Sequence, residues 1–97
     1  MLNKGSTIMV RNEKREENGI NYNYRLTVEE SERVASYTLP LYTISVEMKE
    51  SDGTVTNATA RELFSDAGKA HLFFDKLVNN LATPVDLPYI VEDELSG

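Results

Sequence analysis

Apolar and polar residues alternate most strictly between Tyr22 and Glu29, where Tyr22, Tyr24, Leu26 and Val28 interleave with Asn23, Arg25, Thr27 and Glu29. A period of two marks a strand with one face in a core and the other in water. The polar run Glu30-Ser31-Glu32-Arg33 breaks the pattern and reads as a four-residue hairpin loop. Pairing outward from it sets Val28 against Ala35, Leu26 against Tyr37 and Tyr24 against Leu39, so the apolar sets of both strands share a face. The alternation then changes phase, because Ala35, Tyr37, Leu39 and Leu41 are odd whereas Tyr42, Ile44, Val46 and Met48 are even. A slip of one residue predicts a β-bulge. Proline lacks the ladder donor, which puts the bulge near Pro40-Leu41 in a long, bent third strand from about Val34 to Lys49.

On the amino-terminal side, Thr7 to about Glu16 forms a first strand closed by Asn18-Gly19, a dipeptide suited to the positive φ of hairpin turns. Two registers are open. A two-residue turn sets Met9 against Val28 and Arg11 against Leu26, and a three-residue loop sets Val10 against Val28. On the other side, Ser51-Asp52-Gly53 reads as a three-residue loop with Gly53 left-handed, which opposes Val46 to Ala58 and Ile44 to Ala60 and leaves Thr43 and Arg61 outside.

The period then lengthens. Ala67, Ala70, Phe74, Leu77, Val78 and Leu81 recur at three- and four-residue spacing, predicting a helix from about Asp66 to Leu81 whose apolar stripe lies on the sheet. Ser65 or Asp66 caps it, and Gly68 weakens its first turn. After Ala82-Thr83-Pro84-Val85, Asp86 caps a shorter helix carrying Leu87, Ile90, Val91 and Leu95, with Pro88 tolerated in the first turn. The fold class is α+β: an antiparallel meander of three to four strands, one main helix packed on one face and a short C-terminal helix.

At 97 residues, with 40% apolar and 27% charged side chains, the chain is the size and composition of one globular domain spanning residues 1–97, with 1–20 as an edge strand or tail. No cysteine is present, which excludes disulfides, thiolate zinc sites and thiol catalysis. The cytoplasm is therefore the expected location, where the Asn57-Ala58-Thr59 glycosylation sequon has no meaning. Ile8, Met9 and Val10 are far short of a signal-peptide core or membrane span. A net charge of −6 opposes binding to nucleic acid. Near the amino terminus Arg11, Lys14 and Arg15 are nearly cancelled by Glu13, Glu16 and Glu17.

Candidate chemistry is sparse. His71 and Asp75 stand one turn apart on the main helix, but two ligands do not close a metal site. Glu92, Asp93 and Glu94 lack the alternating oxygens and glycine of a calcium loop and read as a solvated helix face. No phosphate loop, nucleophile elbow or zinc-protease motif occurs. No catalytic, cofactor or metal residue is expected. Tyrosines combine an apolar body with a polar tip and are enriched at contact surfaces. Two candidate interaction surfaces follow, the unguarded edge of the fourth strand with Thr56 or the region of Tyr22, Tyr24 and Tyr37; the alternative for the tyrosines is that they rim the core with their hydroxyls outward.

Three short stretches carry a resemblance: Lys76-Leu77-Val78-Asn79-Asn80, Thr83-Pro84-Val85-Asp86-Leu87 and Ile90-Val91-Glu92-Asp93-Glu94-Leu95. Residues 61–95 resemble a family of small bacterial proteins, mainly Gram-positive, classed as a domain of unknown function. Its pattern is an antiparallel strand region, a helix with a Leu-rich end, a Thr/Ser-Pro-Val/Ile-x-Leu element and a terminal helix. Pro88 departs from that pattern. The resemblance implies no activity or ligand. Two function classes follow from the whole reading: a non-enzymatic interaction or regulatory module with a protein partner or a second copy of itself, and a small-molecule-binding or catalytic domain with a pocket between sheet and helices.

Overall fold

The computed structural model describes residues 7–34 and 37–96, giving the backbone alone for 30–34 and 37–39. Its elements are β1 (Thr7–Glu17), β2 (Ile20–Val34), β3 (Tyr37–Lys49), β4 (Val55–Phe64), α1 (Ala67–Asn79) and α2 (Leu87–Ser96). The strands form one antiparallel sheet in the order β1-β2-β3-β4, the expected meander.

Asn18 and Gly19 both take positive φ, 53° and 81°, and close β1 onto β2 as a two-residue turn. Arg11 accordingly faces Leu26. Beyond it the register shifts: Met9 pairs with Thr27 rather than Val28, and Ile8 takes the place opposite Val28. Val10 is the extra residue of this bulge. It packs against the core while Arg11, its neighbour, lies over the Phe74 ring, so both side chains point to the inner side.

The β2–β3 pairing corrects the sequence reading. Glu30 to Arg33 is not a loop but part of β2, and Glu30, Ser31 and Glu32 pair with Pro40, Leu39 and Thr38. Val28 faces Tyr42 rather than Ala35, Leu26 faces Ile44 rather than Tyr37, and Tyr24 faces Val46 rather than Leu39. The even series of both strands thus meet directly, with no phase slip at Pro40. The register shifts instead lie between Glu32 and Val34 and, on the β4 side, between Tyr42 and Ile44. Pro40 is tolerated because β4 reaches β3 only as far as Tyr42, leaving Pro40 on a free edge.

The reason for the longer hairpin is a difference in reach. Fifteen strand residues span roughly 50 Å, whereas the thirteen residues of α1 span roughly 20 Å. The helix covers only one end of the sheet, so alternation is required there and not in the overhanging arm. Leu41 is buried outside the core cluster, and the side chains of Tyr37 and Leu39 lie outside the described residues.

On the β4 side the expected register holds: Val46 faces Ala58 and Ile44 faces Ala60. Gly53 N–H donates to the Glu50 carbonyl at 2.9 Å, and Gly53 has φ of +94°. The small Ala58 and Ala60 are half-buried against the core cluster, whose largest fully buried members are Tyr24, Leu26, Ile44, Val46, Phe74, Leu77 and Leu87. Burying side chains of this size contributes about 1.5–3 kcal/mol each before entropy is counted.

Helix α1 begins where expected, with the Asp66 carboxylate accepting the Lys69 N–H at 3.1 Å. It ends before Leu81. Leu81 takes a left-handed φ of 49°, its N–H donates to the Val78 carbonyl, and Ala82 N–H donates to Leu77 at 3.0 Å. This pair of bonds closes a helix in the way that a left-handed glycine usually does. The cap of α2 also differs from expectation. Thr83 Oγ1 accepts the Asp86 N–H and the Asp86 carboxylate accepts the Thr83 N–H, both at 3.2 Å. Thr83 is the capping residue and Asp86 reaches back to it, with Pro84 at the first position after the cap.

Candidate functional site

The tyrosines proposed as a surface belong to the interior. Tyr24 is 0% exposed and Tyr22 9%. Their rings stack nearly parallel, with centroids 6.3 Å apart. The Tyr24 hydroxyl donates to the Ala82 carbonyl at 2.8 Å, and burial, with a smaller contribution from Tyr22, pushes its pKa up to about 12. The α1–α2 connection closes off the Tyr24 hydroxyl, whereas Tyr22 still lines a shallow depression of about 290 Å³ with Lys14, Arg15 and Glu47. For Tyr24 the expectation failed because the helix exit folds back over the sheet and supplies a partner for the phenol. The Tyr37 side chain lies outside the described residues.

Thr56, the candidate residue of the fourth-strand edge, sits on β4 opposite Met48. Glu50 N–H donates to the Thr54 carbonyl at 2.8 Å, and the register runs unbroken from Lys49–Val55 to Ile44–Ala60. Antiparallel neighbours alternate between residues that exchange backbone hydrogen bonds and residues that do not. Counting from Thr54, Thr56, Ala58 and Ala60 turn their peptide groups toward β3, while Val55, Asn57 and Thr59 turn theirs outward. Thr56 therefore spends its backbone groups inside the sheet. The free edge is made by Val55, Asn57 and Thr59, all three exposed on the last strand of the sheet. Only the hydrogen-bond phase of the hairpin identifies these positions.

Two features bound the regular part of this edge. The Asp52 carboxylate accepts the Thr54 N–H at 2.9 Å, which fixes the turn and holds its pKa below the usual range. At the far end β4 bulges after Ala60, where Glu62 takes φ of 50° and its N–H donates to Thr43 Oγ1 at 3.0 Å, before pairing resumes at Tyr42–Phe64. The segment Thr54 to Ala60 carries no charge. The opposite edge differs, since β1 bears a bulge at Val10 and the charges Arg11, Glu13, Lys14, Arg15, Glu16 and Glu17. Bulges and edge charges are the usual means of preventing strand addition.

His71 and Asp75 meet through a residue from another element. Arg11 Nη1 lies 2.8 Å from Asp75 Oδ1 and 3.4 Å from His71 Nδ1, and its guanidinium carbon stands 4.8 Å from the Phe74 ring centroid. Nδ1 accepts from arginine only when it carries no proton. Glu13 adds a contact at 3.5 Å. The cluster ties the edge strand β1 to α1 by charge and by a cation–π contact. Among the described residues no three His, Asp or Glu side chains gather to hold a metal ion.

A shallow groove of about 470 Å³ runs between α1, α2 and the end of β4, lined by Phe64, Leu72, Phe73 and Leu95 with Lys69, Lys76 and Glu94 at its rim. Lys76 Nζ and Glu94 Oε1, 3.5 Å apart, bridge the two helices. Glu92 and Asp93 are exposed, as expected of a solvated helix face. No helix among the described residues is long and apolar enough to cross a membrane.

Neither the curated proteins nor the solved structures include a significant match to the chain. A family model does match, and its extent is wider than the resemblance over residues 61–95: it takes in the sheet and both helices, from residue 4 to residue 97. The chain thus belongs to the family of unknown function DUF6514.

Proposed function

We propose that this chain is a non-enzymatic interaction module that recruits a protein partner by strand addition along the free edge of β4. The observation that carries the reading is the contrast between the two sheet edges: β1 is charged along its length and bulged at Val10, whereas β4, up to its own bulge at Arg61 and Glu62, offers three outward-turned residues, Val55, Asn57 and Thr59, with no charge between Thr54 and Ala60. Main-chain bonds along such an edge supply affinity and alternate side chains supply selectivity. The filled layer between sheet and helices, where Tyr24, Leu26, Ile44, Val46, Phe74 and Leu77 are fully buried, favours this reading over a ligand pocket. The chain has no cysteine and so needs no oxidising compartment, and the reading sets its action in the bacterial cytoplasm.

Asn57→Pro tests it, because the Asn57 N–H points away from β3 and its loss leaves the internal ladder intact. A partner cross-linked to the native chain in its source cell should be lost with Asn57→Pro and with the double variant Val55→Lys, Thr59→Lys, both checked for folding by circular dichroism. A partner retained by both folded variants would sink the strand-addition reading.

A further inference from the structure

The most specific occupant of the β4 edge is a second copy of the same edge. We propose that two chains pair β4 to β4 in antiparallel fashion about a two-fold axis through Asn57, joining two four-stranded sheets into one of eight. This rests on the strand-addition reading and names the partner for it.

Hydrogen bonding selects the register. Val55, Asn57 and Thr59 turn their peptide groups outward, as the alternation along the β3–β4 ladder requires. With the axis at Asn57, that residue faces its own copy, and Val55 faces Thr59 of the second copy on each side. Every outward N–H and C=O of the three residues then finds a partner. Moving the axis to Thr56 leaves Thr59 of each chain unpaired, and moving it to Ala58 brings Val55 opposite Arg61, in the bulge where Glu62 takes a positive φ and the outward peptide groups lose their regular alternation.

Side chains agree with that choice. On the outer face Val55 meets Thr59, a pair of β-branched residues, and on the inner face Thr56 meets Ala58. Like charges do not meet within the paired segment, since Thr54 to Ala60 is uncharged. Just beyond it, the register carries Arg61 of each chain to the Asp52-Gly53 turn of the other. Arg61 makes no ion pair among the described residues, and Asp52 is fully solvent-facing with its carboxylate held in the charged form by Thr54. One arginine and one aspartate thus complement each other twice across the axis. An exposed, isologous contact of this kind is the commonest way for a chain to pair with itself.

The absence of cysteine from the chain makes the axis directly measurable. Residues facing each other in a hydrogen-bonded antiparallel pair have Cα atoms about 5.5 Å apart, inside the roughly 4.4–6.8 Å range of disulfides. Asn57→Cys should cross-link to a dimer under mild oxidation at least tenfold faster than Thr59→Cys, whose two copies stand four residues out of register. Light scattering on the native chain should show mass rising from 10.9 kDa toward twice that value with concentration. Arg61→Glu should raise the dissociation constant about tenfold, with partial recovery in Arg61→Glu combined with Asp52→Arg. Faster cross-linking of Thr59→Cys or Val55→Cys than of Asn57→Cys overturns the axis. A mass that stays at that of one chain up to millimolar concentration overturns the dimer. If in that event partner cross-linking in cells still depends on Asn57→Pro, strand addition stands and only the self-pairing falls.

Discussion

The Tyr24 hydroxyl and the Ala82 carbonyl, 58 residues apart in sequence, share a buried hydrogen bond of 2.8 Å. It joins the first half of β2 to Ala82, three residues beyond the end of α1, and so fastens the α1–α2 connection to the sheet. Tyr24→Phe keeps the ring and leaves the carbonyl without a partner. The expected loss is about 1–3 kcal/mol in urea unfolding.

The same residue sets an alkaline limit. The phenol titrates near 12 in the folded chain against an ordinary 10.0, because burial disfavours the phenolate. Above pH 10 the unfolded chain loses this proton first, so the folded state binds more protons and stability falls as pH rises from about 10 toward 12. The contribution is fully present at neutral pH. Tyr24→Phe removes it, and the stability curve of that variant should be the flatter of the two across this window. Parallel curves would show that Tyr24 does not sense pH through its burial.

Much of the sheet was legible because burial writes itself into side-chain pattern. Tyr22 to Val28 and Tyr42 to Met48 alternate where α1 covers them, and Val46–Ala58 and Ile44–Ala60 followed from matching like with like across Gly53. The overhanging arm was not legible for the same reason. Glu30 and Glu32 pair through their backbones with Pro40 and Thr38, and a strand beyond the reach of α1 has no need to alternate. The candidate surface failed at Tyr24 because its cover comes from Ala82, in a segment without periodicity. Arg11 was overlooked at the His71–Asp75 pair although a two-residue Asn18-Gly19 turn already set it opposite Leu26. A charged residue on an inner face reads as a mismatch until the Phe74 ring and the Asp75 carboxylate are in place.

Leu81 holds a backbone conformation that suits glycine, with φ of 49°, and its side chain is half-buried against the core. Two substitutions separate strain from packing. Leu81→Ala and Leu81→Gly both delete the side chain, but alanine keeps the left-handed penalty and glycine does not. The glycine variant should be the more stable by about 1 kcal/mol. Equal melting temperatures would mean that the left-handed turn carries no strain.

Thr83 and Asp86 exchange two hydrogen bonds at 3.2 Å at the start of α2. Thr83→Ala leaves the Asp86 N–H without its side-chain acceptor and should cost about 1 kcal/mol. Asp86→Asn keeps an acceptor for the Thr83 N–H and should cost less. Were Asp86 the cap, as the sequence alone suggested, the order would reverse. Thermal melts of the two variants decide between them.

Arg11 leans on the core through the Phe74 ring, and its contribution divides into a part sensitive to salt and a part that is not. The ion pair to Asp75 is 2.8 Å long, yet the two side chains are 28% and 46% exposed. Solvent screening at such sites limits a pair to about 0.2–1 kcal/mol. The contact with Phe74, 4.8 Å from guanidinium carbon to ring centroid, contributes about 0.5–2 kcal/mol on top of the area that the arginine stem covers. Asp75→Asn should therefore destabilise only slightly, and less in 1 M salt than in dilute buffer. Arg11→Ala should cost more, about 1–3 kcal/mol, with most of the loss persisting in high salt. Arg11→Lys should recover little, since an ammonium reproduces neither the planar stacking nor the fork toward Asp75 and His71. Urea unfolding of the three variants at two salt concentrations measures each part. A loss for Arg11→Ala that vanishes in 1 M salt would show that charge alone, and not the seat on Phe74, holds β1 against the helix.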